Sequence, residues 1–333
     1  MLNFVDNRLA MKTHILIIMS AMSSSVRYFV VALAALCIGI NTNAQDQAVF
    51  NNYVSNQGIL NPAYNGSRDV LAALAIFRSQ WTGFEGAPFT GALNVHGQVD
   101  KMKRLGVGGV IMNDHAGFTN NLEFFAAASY RLQLNRKTNL HLGMQVGFKN
   151  VIYNANKAVT VDYGDPVFDG RISKFGFNFG IGGYLYSDKY FVGLSIPRFF
   201  ANKYDTDKQE IKNTVSFKDL HTFIYGGYVF NVDQYKVKPS ALIRLVPGAP
   251  LEVDVTCSML FADKLWVGLS YRTVTDIVFL LEYQMTQSWA IKYSFDFPLN
   301  DIKKYTVAGS HEVALQYDFR LTRRPGMRSI RHF

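Results

Sequence analysis

Apolar and polar residues alternate along the last third of the chain. In residues 251–259 the odd positions are apolar and the even positions are polar, and the same alternation recurs over 289–297 and 312–321. Successive side chains of a β-strand point to opposite faces, so each stretch predicts a strand with one apolar and one polar face. Such strands fit either a soluble sandwich or a transmembrane barrel that turns its apolar face to lipid.

The same pattern, followed along the whole chain, predicts about fourteen strands. They are residues 69–81, 88–98, 105–113, 121–134, 138–152, 174–187, 189–198, 217–231, 236–246, 250–262, 264–273, 276–286, 288–298 and 309–322. Alternation is clean over 140–149 and 175–182 but poor in the first strand.

The predicted connections differ in length according to their place in the chain. Those after even-numbered strands are short, whereas several after odd-numbered strands are long, including 153–173, 198–216 and 299–308. Outer-membrane barrels have short periplasmic turns and longer outer loops, whereas a sandwich has no reason to sort its loops in this way. The sequence therefore predicts an all-β, antiparallel, transmembrane outer-membrane β-barrel with both termini in the periplasm.

Composition agrees with a barrel. Of 333 residues 49% are hydrophobic and 14% aromatic, with a mean hydropathy of +0.03. Beyond the N-terminal region no long unbroken apolar run occurs, which excludes a helical membrane protein. The net charge of +9 suggests nucleic-acid binding, but no helix-turn-helix pattern, metal knuckle or RNA-binding signature accompanies it, so no nucleic-acid partner is expected.

The N-terminus carries the pattern of a secretory signal peptide. Arg27 precedes an apolar run over 28–40, and Ala44 precedes Gln45 at the expected cleavage point. The chain is accordingly divided into a removed leader and signal peptide (1–44), an N-terminal periplasmic or plug segment (45–68), the barrel (69–322) and a basic periplasmic tail (323–333). Cys37 falls in the leader, which leaves Cys257 without an intrachain disulfide partner.

Basic residues collect in the predicted short turns and in the tail. They are Lys101, Lys103, Arg104, Arg136, Lys137, Lys189, Lys236, Lys238, Lys264, Arg323, Arg324, Arg328 and Arg331. The long loops are mixed or acidic, so positive charge is expected to ring the periplasmic mouth. This charge is either a bias that aids assembly and solubility or a docking surface for an acidic periplasmic partner.

Several stretches carry a family resemblance. They are NPAYNGSR at 61–68, FRSQWTGFEGAPFT at 77–90, LGVGGVIMNDHAG at 105–117 and the terminal RHF at 331–333. Together they resemble the PorP/SprF family of type IX secretion system membrane proteins of Bacteroidota. The resemblance implies an outer-membrane barrel that supports export or surface attachment of particular cargo, such as gliding adhesins. Its implied partners are that cargo, other secretion-system proteins and outer-membrane lipid.

These motifs, the basic turn and the tail supply the predicted partner-binding residues. They are Asn61, Pro62, Tyr64, Arg78, Trp81, Phe84, Glu85, Lys101, Lys103, Arg104, Arg323 and Arg324. Two interpretations stay open. The elbow at 61–66 and the loop at 81–89 form a plug or contact cargo, or they brace the first hairpin, with Arg78 paired to Glu85 across the lumen and Trp81 in an aromatic girdle.

No motif indicates catalysis, a cofactor or a metal. The histidines are scattered without zinc-ligand spacing, no nucleophile elbow occurs, and Asp162, Asp165 and Asp169 resemble a calcium loop only loosely. Two other functions remain as alternatives, a transport barrel for hydrophobic or small solutes and a structural protein that anchors the envelope. Phe191 and Trp266 are expected to point inward, so the lumen is predicted to be filled rather than open.

Overall fold

A computed structural model describes residues 50–100, 102–154, 171–205, 210–215, 220–273, 275–306 and 308–319. The strands are β1 (Leu71–Ser79), β2 (Phe89–Gln98), β3 (Leu105–Ala116), β4 (Thr119–Gln133), β5 (Asn139–Asn154), β6 (Arg171–Tyr186), β7 (Tyr190–Ile196), β8 (Phe200–Asp205), β9 (Glu210–Val215), β10 (Thr222–Tyr228), β11 (Phe230–Val232), β12 (Tyr235–Leu245), β13 (Glu252–Phe261), β14 (Leu265–Arg272), β15 (Asp276–Gln284), β16 (Trp289–Pro298) and β17 (Ser310–Phe319). The helices are α1 (Gln57–Leu60) and two 3-10 turns, Pro62–Tyr64 and Asp301–Lys304. No helix among the described residues is long and apolar enough to cross a membrane.

The strands close into one antiparallel barrel. Consecutive strands pair with one another from β1 to β7 and again from β11 to β17, β1 pairs with β17, and β10 pairs with both β7 and β12, whereas β8 and β9 form a separate two-stranded sheet. β10 and β11 follow one another along β12 and count as one spanning strand interrupted at Val229, so fourteen strands form the wall. The predicted all-β antiparallel barrel and its strand number are confirmed.

The two faces of the wall differ as the alternation predicts. In β13–β15 the outward side chains of Val255, Leu269 and Phe279 are about half exposed, with 47%, 52% and 53% of their surface accessible. Inward neighbours such as Asp254 and Ser270 are buried. An apolar outer band of this kind is the surface that faces lipid in outer-membrane barrels.

β1 explains why the alternation of the first strand is poor. Its outward Phe77 is exposed, but its inward Leu74 and Ile76 are apolar too and fully buried. They belong to an apolar cluster that includes Phe50 and Ile59, which precede the barrel in sequence. Both faces of β1 therefore contact apolar surroundings, so polarity does not mark the inward face.

The connections define two ends of the barrel. The short-turn end is where the strands joined by 99–104, 134–138, 187–189, 233–234, 262–264 and 285–288 end and begin. The long-loop end is where the strands joined by 80–88, 117–118, 155–170, 197–221, 246–251, 273–275 and 299–309 end and begin. The predicted loop 198–216 contains a separate hairpin, β8–β9, which the alternation of apolar and polar residues does not predict. The predicted signal peptide, the aspartates at 162, 165 and 169, Lys101 and the basic tail lie outside the described residues.

Candidate functional site: the barrel lumen

The lumen is occupied by the chain's own residues 50–68, called here the inner segment. From Phe50 to Ser67 every residue is buried except Ser55, which is half-buried. The segment runs from the long-loop end, where Asn51 contacts β16 and β17, to the short-turn end, where Arg68 contacts Asp318 of β17. Its polar side chains meet the polar inner face of the wall.

At the long-loop end Glu312 of β17 holds the start of the inner segment. Its carboxylate accepts the backbone N–H groups of Asn51 at 2.7 Å and Asn52 at 3.0 Å, and the Asn52 side-chain amide at 2.7 Å. The amide of Asn51 donates to the Ser294 hydroxyl at 2.9 Å and to Asp296. A fully buried carboxylate thus has several hydrogen-bond donors, as burial of its charge requires.

Arg78 completes this cluster from β1. Its guanidinium lies 2.6 Å from the Asp296 carboxylate and 3.4 Å from that of Glu312, and all three side chains are buried. The predicted pairing of Arg78 with Glu85 is wrong. Arg78 stands directly opposite Glu312 in the β1–β17 register, so its side chain points into the lumen, whereas Glu85 lies in an exposed loop.

Two further arginines extend the ionic network across β12–β14. Arg272 binds Asp254 at 3.0 Å and donates to the Asn51 side-chain carbonyl at 3.1 Å. Arg244 of β12 pairs with Glu252 and lies 3.4 Å from Asp254. The sequence analysis does not single out these arginines. Charged residues at the polar positions of alternating strands do, however, indicate side chains that point into the lumen.

The middle of the inner segment contacts the opposite part of the wall. The Tyr53 hydroxyl donates to Ser240 at 3.0 Å, and Ser55 donates to Glu282 at 3.0 Å. A cavity of about 30 Å³ lies beside residues 51–55, and its lining includes Lys238 and Trp266. The Lys238 ammonium stands 4.2 Å from the centroid of the Trp266 ring, a cation–π contact. A space of this size holds water rather than a solute.

The NPAYNG elbow, residues 61–66, packs against β2–β6 and β10. The Asn61 side chain accepts the backbone N–H of Ala63 at 2.9 Å and donates to the Gly183 carbonyl at 3.0 Å and the Tyr225 hydroxyl at 3.2 Å. Pro62 opens the 3-10 turn that this cap begins. The elbow is therefore fixed by its own turn chemistry and by the wall together.

Tyr64 of the elbow stands between two rings of the wall. Its ring meets His96 and Tyr184 edge-on, each with centroids 5.3 Å apart. Tyr184 also belongs to a buried cluster with Phe191 and Tyr225. Phe191 points inward as predicted, and Trp266 is likewise buried.

Glycines of the wall make room for the elbow. A methyl group on Gly182 would lie 2.0 Å from the Asn61 side-chain oxygen, and one on Gly108 would lie 2.3 Å from that of Asn65. At Gly106 it would lie 2.8 Å from the Gly66 Cα. The glycine-rich stretch of β3 and the elbow, separate motifs in sequence, are thus complementary surfaces.

The inner segment ends in hydrogen bonds at the short-turn end. Gln98 donates to the Gly66 carbonyl at 3.0 Å, and Arg131 donates to the Ser67 carbonyl at 3.3 Å. Arg68 forms an ion pair with Asp318 at 2.7 Å. These contacts fix the exit of the segment where β1 begins.

Between them, the contacts of the inner segment reach every strand of the wall. Residues 51–55 bind β12, β13, β14, β15, β16 and β17, whereas residues 58–67 bind chiefly β2, β3, β4, β5, β6, β7 and β10. Phe50 and Ile59 reach β1 through the apolar cluster. One short segment therefore joins the two halves of the barrel.

The structure separates the predicted partner-binding residues into two groups. Asn61, Pro62, Tyr64 and Arg78 are buried in the lumen. Trp81, Phe84 and Glu85 lie in the loop after β1 at the long-loop end, and Lys103 and Arg104 lie in the turn after β2 at the short-turn end.

The loop after β1 is tied to its neighbours through the backbone. Trp81, at φ 46°, donates its backbone N–H to the Ser310 hydroxyl at 3.1 Å. The Thr82 N–H donates to the Gly309 carbonyl at 2.7 Å. Phe84 at the loop tip is 49% exposed and Glu85 is exposed as well. The loop thus presents an aromatic and an acidic side chain on a fixed backbone.

The chemistry of the lumen is that of recognition. In the described part of the chain no three His, Cys, Asp or Glu side chains come together in a way that could hold a metal ion. Many of the described polar side chains of the lumen form hydrogen bonds with the inner segment, among them Glu312, Ser195 and Ser129.

The closed antiparallel sheet and its apolar outer face are the features of a transmembrane β-barrel protein, and here the lumen is filled by the protein's own chain. A family profile described as "Type IX secretion system membrane protein PorP/SprF" matches residues 42–317, and the chain belongs to this family. It is therefore an outer-membrane component of the type IX secretion system. This family is one of membrane secretion components and not a known enzyme class.

Solved structures with a similar fold are distant. Omp33 of Acinetobacter baumannii shares 10% identity over 77% of this chain and 100% of that chain, with a TM-score of 0.43. The toluene transporter TbuX of Ralstonia pickettii shares 11% identity over 79% and 93%, with a TM-score of 0.46. A FadL homologue of Pseudomonas aeruginosa shares 11% over 78% and 93%, with a TM-score of 0.41. No curated protein matches the chain.

Proposed function

We propose that this barrel acts as an accessory component of the type IX secretion system that binds a particular exported cargo and supports its export or surface attachment. Gliding adhesins are the kind of cargo that the family implies. In this proposal the barrel acts by binding polypeptides and does not conduct solutes. The short-turn end faces the periplasm, and the long-loop end faces the cell exterior.

The observation that carries the proposal is the occupied lumen. The inner segment is buried from Phe50 to Ser67 and contacts every strand of the wall, and the cavity beside it measures about 30 Å³. A solute channel needs a continuous passage through the lumen, and the buried inner segment stands in that space. The occupied lumen therefore counts against the alternative of a transport barrel.

Two exposed surfaces remain for partners. At the long-loop end Phe84 and Phe118 are each 49% exposed, and the Gly117 N–H donates to the Gly86 carbonyl at 2.9 Å, which joins the two loops that carry them. We propose this pair of loops as the cargo contact, because exposed aromatic side chains on a fixed backbone make favourable binding sites.

Among the described residues of the short-turn end, one sector carries more basic charge than the others. The neighbouring turns 99–104 and 134–138 contain Lys103, Arg104, Arg136 and Lys137 among their described residues. In the remaining short turns Lys189 adjoins Asp188 and Lys264 adjoins Asp263, and Lys236, at the start of β12, lies 3.0 Å from Asp263. The turn 99–104 contains one acidic residue, Asp100. Lys103 lies 3.7 Å from Asp69 at its nearest approach, while Arg104 is exposed. We propose this sector as the docking surface for periplasmic machinery.

Two measurements test the proposal. In planar bilayers the purified barrel should give no steady conductance, and steady opening at low voltage would favour the transport alternative. In cells, deletion should abolish the surface display of one class of cargo and leave the outer membrane intact. Stable capture of a cell-wall or lipoprotein partner without any loss of display would favour the envelope-anchoring alternative.

Charge reversal tests whether the basic sector binds a partner or only aids assembly of the barrel. Lys103→Glu with Arg104→Glu should weaken capture of an acidic periplasmic partner, because both residues lie in the sector where the described basic residues are most concentrated. Lys236→Glu is the control, because Lys236, at the start of β12, lies 3.0 Å from Asp263 of the turn after β13. Equal capture by both variants in pull-downs would argue against docking at this sector.

A further inference from the structure

The wall of the lumen recognises the main chain of the inner segment. The Glu312 carboxylate accepts the backbone N–H groups of Asn51 and Asn52. The Ser195 hydroxyl donates to the Leu60 carbonyl at 2.7 Å. Ser129, Gln98 and Arg131 donate to the carbonyls of residues 65, 66 and 67. Main-chain recognition by side chains of the receptor is how proteins bind extended or turn-forming peptides.

The shape of the lumen is that of a peptide groove as well. Methyl groups on Gly106 and Gly143 would collide with backbone atoms of the elbow, at 2.4 Å from the Asn65 carbonyl oxygen and 2.4 Å from the Ala63 nitrogen. The wall therefore lets a polypeptide backbone approach more closely than a wall with side chains would. The turn at Gly66, with φ +77°, fits against this surface.

The resident segment does not use the lumen fully. Both polar atoms of the Asn56 amide and the side-chain carbonyl oxygen of Gln57 are buried without a hydrogen-bond partner among the described residues. Asn56 stands at the N-cap of α1 but makes no capping hydrogen bond. A buried amide without partners weakens the association of the segment with the wall. The lumen could therefore bind a related segment more tightly than its own.

We propose that the lumen is a polypeptide-binding site that the inner segment occupies in this state, and that a turn-forming, asparagine-rich segment of a partner polypeptide can take its place. The wall selects for donors that reach Glu312 and Asp296, for an aromatic ring between His96 and Tyr184, and for an Asn-Pro turn with a glycine after it. The identity of the partner as exported cargo rests on the function proposed above.

The two described ends of the inner segment are held in different ways. Residue 68 leads directly into β1, whereas Phe50 lies at the far end and is held by non-covalent contacts. Release can thus begin at Asn51 and proceed towards the elbow. Each asparagine side chain that leaves the wall regains hydrogen bonds with water, so exposure of the segment is less costly than that of an apolar one.

A disulfide that locks the segment in place supplies the control. A methyl group on Gly58 would lie 3.0 Å from the Asn94 side-chain carbon, so the two β-carbons would stand within disulfide range. We therefore design Gly58→Cys with Asn94→Cys in a Cys257→Ala background. The oxidised protein holds its segment, and the reduced protein can release it.

The experiment offers both forms of the full-length protein a fluorescent synthetic peptide of residues 50–68 in detergent micelles. Uptake of the peptide, measured by anisotropy, is expected in the reduced form and is expected to be blocked in the oxidised form. A peptide with Asn56→Leu should bind roughly 5- to 100-fold more tightly, and one with Asn61→Leu should bind more weakly by a similar factor.

A protein cut between the inner segment and β1 distinguishes slow release of the segment from a complete lack of exchange. A protease site inserted after Asp69, whose side chain is 41% exposed at the short-turn end, turns the resident segment into a separate peptide after folding. Replacement of the nicked segment by the Asn56→Leu peptide, followed by mass spectrometry, supports the proposal. Retention of the original segment under excess peptide overturns it, as does equal uptake of a scrambled peptide.

These outcomes do not depend on secretion. If the barrel exchanges peptide in micelles but its deletion leaves cargo display unchanged, the lumenal binding site is supported and the proposed secretion role is overturned. A barrel that never exchanges its segment but is required for display would keep the secretion role and confine partner binding to the outer surfaces.

Discussion

Gly143 of β5 and Ala63 of the inner segment are in such close contact that a methyl group on the glycine would lie 2.4 Å from the alanine backbone nitrogen. No real β-carbon tolerates that separation from a backbone atom, so one of the two would have to move. Because the elbow is fixed on several sides by β2–β6, it has little room to do so. This contact shows how closely the wall fits the segment inside it.

Gly143→Ala should lower the free energy of unfolding by about 1–3 kcal/mol, the usual cost of overpacking a well-filled interior. The measurement is urea unfolding in lipid vesicles, followed by the heat-dependent gel mobility of folded barrels. Gly109→Ala is the control, because a methyl group there would meet nothing closer than 3.8 Å. Equal stability of the two variants would contradict the close fit described above.

Glu312→Ala should destabilise the barrel by about 3–5 kcal/mol, because it leaves buried charge and buried N–H groups without their partner. Of its two carboxylate partners Arg78 would retain only Asp296, and the backbone N–H groups of Asn51 and Asn52 would lose their acceptor. Lys304→Ala removes an ion pair of 2.8 Å whose side chains are 63% and 86% exposed, so its effect should stay within about 1 kcal/mol. The two unfolding curves are compared at pH 7.

Asn56→Leu should raise stability by about 1–2 kcal/mol, because the substitution removes two buried polar atoms that have no partner. Asn61→Leu should lower it by about 2–4 kcal/mol, since that side chain makes three hydrogen bonds. The pair places the same substitution at two buried asparagines of one segment. Melting by heat in a neutral detergent provides the comparison, and a loss of stability in both variants would show that Asn56 has a partner in solution.

Cys257 should react with a lipophilic maleimide and resist a charged one while the barrel is in vesicles. It is an exposed, free cysteine on the outward face of β13, between the outward Val255 and Met259. Lipid on that face excludes charged reagents. Unfolding in sodium dodecyl sulfate should make both reagents react, which serves as the control. Rapid labelling by the charged reagent in intact vesicles would place β13 in water.

Most of the wall could be predicted from alternation because lipid and lumen impose opposite polarity on successive residues. The strict pattern of Glu252 to Met259 marks β13 well. The pattern fails where the lumen is apolar, as at Leu74 and Ile76, whose partners Phe50 and Ile59 are remote from the strand in sequence. Such a contact has no signature in the strand itself.

The lumen was harder to predict than the wall. The turn chemistry of Asn61, Pro62 and Gly66 indicated an elbow, and Arg78 was singled out as a residue of interest. Its true partners, Asp296 and Glu312, lie more than two hundred positions away and are set by barrel closure, so neighbouring Glu85 was the wrong choice. Pairing across a closed sheet depends on register, which a single sequence does not fix.

The division of the inner segment between the two halves of the wall bears on biogenesis. Asn51 and Asn52 are synthesised before any strand, yet the side chains that satisfy them, Ser294, Asp296 and Glu312, belong to the last two strands to be made. In a chain that ends before β16, the backbone N–H groups of Asn51 and Asn52 would lack their carboxylate acceptor, although Tyr53 and Ser55 would keep their partners on β12 and β15. The start of the inner segment therefore gains its full set of contacts only when the last strand closes the barrel.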